Sequence, residues 1–237
     1  MTDFRAGEVL LIHKPLKWTS FQVVNKMKWL IKNHPSLLLD GKKVQPKIGH
    51  AGTLDPLATG LLIVCTGKQT KNIERYQAQE KEYTGTFYIG ATTPCYDLEK
   101  EIDATFPTEH ITEALIQETT KQFTGTIQQT PPLYSAIKID GKRAYDIARA
   151  GQTAEIKSKE ITISVFEITR IALPEVDFRV VCSKGTYIRS LARDFGEALK
   201  SGAHLIALCR TRIGEYKLED AMSIEDFEKS LKAEMPI

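Results

Sequence analysis

The sequence predicts a mixed helix-and-strand fold around a central sheet, and three features carry that reading. The run "LLIVC" at residues 61–65 is continuously apolar and flanked by glycines, which suits a buried strand. "YTGTFYIG" at 83–90 and the series Val176, Phe178, Val180 and Cys182 alternate with the two-residue period of strands. Helical spacing appears twice, in Val23, Val24, Met27, Leu30 and Ile31 and in Ile188, Leu191, Ala192, Phe195 and Leu199.

The remaining elements follow in chain order. A short apolar strand, Val9 to Ile12, opens the chain, and after the turn "HKPLKWTS" Ser20 is expected to cap the first helix. Residues 33–48 read as a basic connection. Residues 108–125 read as a helix with Ile111, Leu115 and Phe123 on one face, a threonine near its start and Gly125 at its end. In "QQTPPLYSAIKIDGKRAYDIARAG", residues 128–151, a double proline breaks regular structure. Ile137 to Ile139 and an Asp-Gly turn then signal a hairpin, and a short helix closes at Gly151. That stretch interleaves Lys138, Lys142, Arg143 and Arg149 with Tyr134 and Tyr145, a composition that suits either an RNA-gripping surface or a solvated hairpin with packed tyrosines.

The chain has 237 residues, 42% of them hydrophobic and 26% charged, enough for one main domain with an insertion or a small satellite. No segment nears eighteen apolar residues in a row, and "MTDFRAGEVLLIHKP" is not a signal peptide, so a cytoplasmic protein is expected. Cys65, Cys95, Cys182 and Cys209 are far apart with no CxxC pair, which argues against a zinc site or a disulfide framework. From Glu215 onward seven acidic residues face three basic ones, leaving residues 1–214 with about +6 of the formal charge. A basic body suits a polyanionic partner such as nucleic acid.

"GHAGTLDPLATG", residues 49–60, sets one carboxylate, Asp55, in a loop of small and apolar residues. Pro56 disfavours helical geometry at Asp55, while Gly49, Gly52 and Gly60 allow backbone paths closed to other residues. Asp before Pro is also an ordinary turn former, so the residues alone leave a structural and a catalytic acid both open. No second acid lies within twelve residues on either side, so a two-carboxylate glycosidase is disfavoured and nucleophilic work or proton abstraction fits better. Arg189 falls in the first turn of its helix, where the macrodipole favours acids; a carboxylate partner or a stem lying along the surface would each explain it.

Other chemistries fail on spacing. Gly67-Lys68 is followed by Gln69 and does not complete a Walker motif. His13, His34, His50, His110 and His204 form no HxxH or HExxH pair, and there is no GxSxG. Two classes remain from the residues themselves: an RNA-acting enzyme with a central acid, or an RNA-binding module whose Asp55 shapes a loop.

"GHAGTLDPLATGLLIVCTGKQTK" resembles the active-site segment of the bacterial tRNA uridine-55 pseudouridine synthases, the TruB family. "KEYTGTFYIG" (81–90), "TPPLYSAIKIDGKRAYDIARAG" (130–151) and "CSKGTYIRSLARDFGEAL" (182–199) match in the same order, with "HKPLKWTS" before them and "LCRTRIGEY" after. The resemblance covers nearly the whole chain. Ala51 stands where the family usually has threonine and Lys17 where it often has glycine, while "TTPCYDLEKEID" keeps Asp97.

The resemblance implies an α+β (α/β) fold with a mixed, largely antiparallel central sheet flanked by helices. Residues 1–214 would be the catalytic domain, with 106–155 as an inserted RNA-gripping thumb. Residues 215–237 would be a short acidic, helical segment capped by Ser223, standing where the family carries a PUA-type domain. The implied reaction converts uridine to pseudouridine in the T-arm loop of tRNA. Asp55 would be the essential acid, Arg189 its ionic partner, and Tyr83 the ring stacked on the uracil, with Leu208 packing the other side. His50 would fill the gap left by the flipped base. Lys68, Lys138, Lys142, Arg143 and Arg149 would contact phosphates, and Tyr134 would bind RNA or act as a hinge. No cofactor and no metal are implied, a monomer is expected, and tRNA is the partner. A non-catalytic tRNA-folding chaperone, or a synthase acting on a different RNA, is the alternative.

Overall fold

The computed structural model describes residues 2–135, 137–139, 141–152 and 154–234, with backbone only at 138, 139, 143, 145, 148 and 149. It divides into two compact units, Met1–Glu82 with Cys209–Ile237, and Tyr83–Leu208. The first unit begins with β1 (Val9–Lys14), α1 (Ser20–Ile31), β2 (Leu38–Leu39), β3 (Lys42–Lys43), β4 (Ile48–His50), β5 (Ala58–Thr66) and α2 (Ile73–Ala78). Strand β6 (Lys81–Ile89) carries the chain into the second unit. There follow β7 (Ala91–Thr92), β8 (Ala104–Thr105), α3 (Glu113–Thr120), β9 (Gly125–Gln129), β10 (Lys138–Ile139), β11 (Lys142–Arg143), α4 (Ala144–Arg149), β12 (Lys159–Ala172), β13 (Glu175–Cys182) and α5 (Ile188–Ala198). Strand β14 (Ala203–Ile213) returns it to the first unit, which closes with β15 (Tyr216–Lys217) and α6 (Ile224–Glu234).

Strand order in the first unit is β1-β5-β14, with β4 also on β5 and β15 on β14; in the second it is β14-β6-β13-β12-β9. The registers of β1 with β5, β4 with β5, β12 with β13 and with β9, and β14 with β15 are all antiparallel. One parallel bridge, Ile12 to Met222, makes the pairing mixed. The expected mixed, largely antiparallel sheet with flanking helices is the observed one. Strand β1 runs two residues past its expected end, to Lys14, because its partner β5 continues to Gly60.

In the first unit Thr19, not Ser20, caps α1. Thr19 is extended at φ −76° and ψ 153°, its hydroxyl accepts from the Gln22 amide at 3.0 Å, and Gln22 accepts from the Thr19 amide at 2.7 Å. A glutamine three positions on completes a capping box for threonine, and Ser20 is thereby drawn into the first turn. The inward face of α1 is as expected, with Val23, Val24, Met27 and Ile31 buried. The basic connection contains a hairpin of β2 and β3 turned by Asp40 and Gly41, both at positive φ, 49° and 75°. That is the conformation a two-residue type I′ turn demands, and Asp-Gly supplies it.

The acidic C-terminal segment packs into this unit's core. Ser223 caps α6 by accepting from the Asp226 amide at 3.0 Å, and Ile224, Phe227 and Leu231 are buried with Phe4, Met27, Ile31 and Leu62. Phe227 meets Phe4 edge-on at 6.3 Å between centroids.

In the second unit the expected helix over 108–125 shortens to α3. Thr112 caps it by accepting from the Leu115 amide at 3.1 Å. Its far end carries Thr119, Thr120 and Thr124, whose hydroxyls bond back to carbonyls three or four residues earlier, an arrangement that competes with regular helix. A 3-10 turn, Lys121–Phe123, follows, and Gly125, at φ +101°, starts β9 instead of ending a helix. Residues 125–129 of the expected thumb therefore form a sheet strand beside β12. The expected hairpin after the double proline is β10 with β11, paired Lys138 to Arg143 and Ile139 to Lys142, and α4 ends just before Gly151. The core gathers Phe87, Phe166, Phe178 and Phe195 under α5, with Phe87 and Phe178 stacked at 4.1 Å.

Because Phe227 is a fully packed side chain in the first core, Phe227→Ala is expected to cost about 3–5 kcal/mol in urea unfolding. A loss below about 1 kcal/mol would make α6 an appendage and not part of the core.

Candidate active site

The Asp55 loop spans residues 51–57, between β4 and β5, and its main chain is held at nearly every step. The Ala51 amide donates to the Ile63 carbonyl at 2.9 Å. Ser20 Oγ accepts from the Leu54 amide at 2.9 Å and donates to the Leu54 carbonyl at 3.3 Å. The Asp55 carbonyl accepts from the Ala58 amide at 3.0 Å, and the Pro56 carbonyl accepts from the Lys17 amide at 2.8 Å. Lys17 makes that bond from φ +66°, the left-handed region. The lysine thus keeps the backbone that glycine would adopt at the same place in the turn, at a modest strain.

Two cations buried in the same unit bracket this loop. Lys14 is 0% exposed, and its Nζ donates to the carbonyls of Trp18 at 2.6 Å, Pro15 at 3.0 Å and Pro56 at 3.5 Å. Burial pushes the Lys14 ammonium down to about 8, and the Asp55 charge opposes part of that fall. Arg210, 1% exposed, donates from Nε to the Leu61 carbonyl at 2.8 Å and from Nη2 to the Gly52 carbonyl at 3.0 Å. His50, half-buried at the end of β4, is held below the usual histidine range first by burial and then by the Arg210 charge. Lys68 is exposed in the 3-10 turn Gly67–Asn72 that follows β5.

In the second unit Arg189 is 5% exposed in the first turn of α5. Its Nη1 donates to the Cys95 carbonyl at 3.3 Å and its Nη2 to the Tyr134 carbonyl at 3.0 Å, and Nε lies 3.7 Å from the Asp97 carboxylate. The arginine at a helix start is thus neither a surface side chain nor an electrostatic misfit, because an acid and two carbonyls offset the macrodipole. The same helix end ties down the chain around the double proline. Ser190 Oγ donates to the Thr130 carbonyl at 2.8 Å, and the Gln129 amide group exchanges bonds with the Tyr187 backbone at 2.8 and 3.1 Å. Tyr83 on β6 and Leu208 on β14 are half-buried and pack against the aromatic core.

His50, Asp55 and Lys68 belong to the first unit, and Tyr83, Tyr134, Arg189 and Leu208 to the second. Lys142 is exposed on β11; the side chains of Lys138, Arg143 and Arg149 lie outside the described residues. Lys14 and Arg210 were not singled out by the sequence. Period-two alternation puts Lys14 on the inward face of β1 with Ile12, a signal that could have found it. Nothing local separates Arg210 from Arg212, which reaches Glu80 at the surface at 3.0 Å. Among the described residues no group of histidine, cysteine and acidic side chains is placed to hold a metal ion, and no helix is long and apolar enough to cross a membrane.

The model of the TruB family pseudouridylate synthase N-terminal domain matches residues 40–188, and that of the tRNA pseudouridylate synthase B C-terminal domain matches residues 189–235. The chain belongs to the TruB family. A TruB relative from Flavobacterium johnsoniae, named tRNA pseudouridine synthase B, is 66% identical over 230 residues, covering 97% of this chain and 98% of its own. One of the same name from Phocaeicola vulgatus is 59% identical over 225 residues, covering 95% and 93%. Among solved structures, a Cbf5-Nop10-Gar1 complex superposes with a TM-score of 0.72 at 28% identity; the match covers 97% of this chain and 56%, about half, of that one.

The depressed Lys14 ammonium has a signed consequence. Between about pH 8 and the unfolded value of 10.5 the unfolded chain binds more protons than the folded one, so stability from this group rises with pH. In urea unfolding the parent should gain stability relative to Lys14→Met on going from about pH 7 to about pH 9.5. A flat or falling difference would show that Lys14 titrates as an ordinary lysine.

Proposed function

We propose that this chain converts uridine to pseudouridine in tRNA, at the uridine of the T-arm loop. The observation that carries the reading is the near-full-length match to proteins named tRNA pseudouridine synthase B, with Asp55 standing in a loop whose backbone is pinned on both sides. The reaction breaks the N1–C1′ bond, turns the freed uracil and joins C5 to C1′; N1 gains a proton and C5 loses one. Product and substrate are isomers, so the chemistry needs no redox partner and no group donor, and no cofactor is proposed.

Asp55 acts as the carboxylate that either attacks C1′ or removes the C2′ proton. Arg189 is proposed as its ionic partner, and Tyr83 as the ring that stacks on the uracil and helps move the C5 proton. Leu208 packs the base from the other side, and His50 fills the gap left when the base is flipped. Lys68 and the thumb residues Lys138, Lys142, Arg143 and Arg149 neutralise phosphates, with Tyr134 at the thumb's root. The anchoring of Thr130 and Tyr134 on α5 supports that assignment, because it joins the root of the basic hairpin to the helix that carries Arg189. Residues 106–155 would form the thumb that grips the RNA, and the whole would work as a monomer in the cytoplasm.

The test is tritium release from tRNA labelled at uridine C5, with no cofactor added. The parent should release tritium, and Asp55→Asn should release none while binding the RNA within about threefold of the parent, since the change is isosteric. Mapping the product to a uridine outside the T-arm would reassign the substrate. Equal release by both proteins would remove Asp55 from the chemistry.

A further inference from the structure

Among the described residues Arg210 has the largest of the fully buried side chains. Its known bonds go to main-chain carbonyls, Leu61 at 2.8 Å and Gly52 at 3.0 Å. A buried guanidinium is costly, and an apolar side chain of similar volume serves stability as well or better. The position therefore calls for a reason other than packing.

The two carbonyls supply one. Gly52 lies three residues before Asp55 and Leu61 six after it, so a single planar fork joins the start of the loop to the strand β5 that follows it. Two glycines lie against Arg210. Gly52 sits at φ +100°, and a Cβ there would lie 3.6 Å from Arg210 Nη1. Gly60 sits at φ +111°, and a Cβ there would fall 2.3 Å from the Arg210 carbonyl oxygen and 2.5 Å from its nitrogen. The chain on both sides of Asp55 thus closes against Arg210, backbone on one side and guanidinium on the other. Ser20 and Lys14 hold the intervening residues, but each reaches only one side of Asp55. Arginine suits this role because its donors are fixed in one plane, whereas an ammonium is a point donor.

We infer that Arg210 is a positioning residue, whose guanidinium sets the backbone of the Asp55 loop by clamping the carbonyls of Gly52 and Leu61. This deepens the proposed isomerase reading and rests on it for its catalytic consequence. A carboxylate that must meet C1′ or the C2′ proton tolerates little displacement, and a shift of about 1 Å costs on the order of a hundredfold in rate.

The experiment compares the full chain with Arg210→Met and Arg210→Lys, checking each for a cooperative thermal transition. Amide hydrogen exchange is read at residues 51–57 and, as an internal control, at Leu62–Val64 in β5. Tritium release is read as kcat and KM separately. In the lysine variant exchange should rise about tenfold or more in the loop and stay unchanged in β5, because one of two clamps is lost. Its kcat should fall about tenfold and that of a folded methionine variant about a hundredfold, with KM within about threefold in both. Should Arg210→Met fail to fold, Arg210→Lys decides. Loop exchange equal to the parent's, a parental kcat in a folded variant, or a loss confined to KM overturns the inference. The exchange result stands without any activity, so a parent that releases no tritium would sink the isomerase reading and leave the clamp judged by exchange.

Discussion

Two buried cations, Lys14 and Arg210, donate to main-chain carbonyls on the two sides of the loop that carries Asp55, and the first unit is arranged so that they can. Burying an ammonium and a guanidinium is unfavourable unless their donors are met. Here the acceptors are peptide carbonyls, most of them in turns and one, Leu61, in β5. The turn after β1 and the left-handed Lys17 offer carbonyls to Lys14 and an amide to Pro56. Gly60 lets the chain pass close to the Arg210 backbone. Donors from α1, β1 and β14 thus hold the loop's main chain.

The second unit uses the same device at another place. Arg189 enters the first turn of α5, against the macrodipole, and is satisfied by two carbonyls and the Asp97 carboxylate. One of those carbonyls belongs to Tyr134, just past the double proline, so the arginine is also a tether for the segment that leads into the basic hairpin. Arg193, one turn on, adds a bond to the Thr130 carbonyl and lies over the Tyr96 ring at 4.9 Å. The root of the hairpin is held by the helix that carries Arg189.

Where the structure departs from expectation, local competitions settled by tertiary contacts are the reason. Within the basic connection, the Asp-Gly pair at residues 40 and 41 turns a hairpin among surrounding lysines. Gly125 opens a strand instead of ending a helix, because threonine hydroxyls have already ended α3. Ser20 lost the cap to Thr19 because Gln22 completes the reciprocal pair and Leu54 occupies the serine hydroxyl. The short acidic segment is helical, and three apolar residues at helical spacing bury α6 within the first core.

By itself the sequence determined the fold class, the inward faces of α1 and α5, the strands around "LLIVC" and "YTGTFYIG", and the prominence of Asp55 and Arg189. Each of these follows from period, from turn chemistry or from a residue set against its local electrostatics, all of which are written within a few positions of the chain. Tertiary structure alone decided that Lys14 and Arg210 are buried, that Arg189 answers to Asp97 and Tyr134, and that α6 belongs with Phe4 and Met27. Those outcomes depend on which carbonyls and apolar faces meet across more than thirty residues of chain, and arginine and lysine carry the same letters whether they end in water or at the centre of a core.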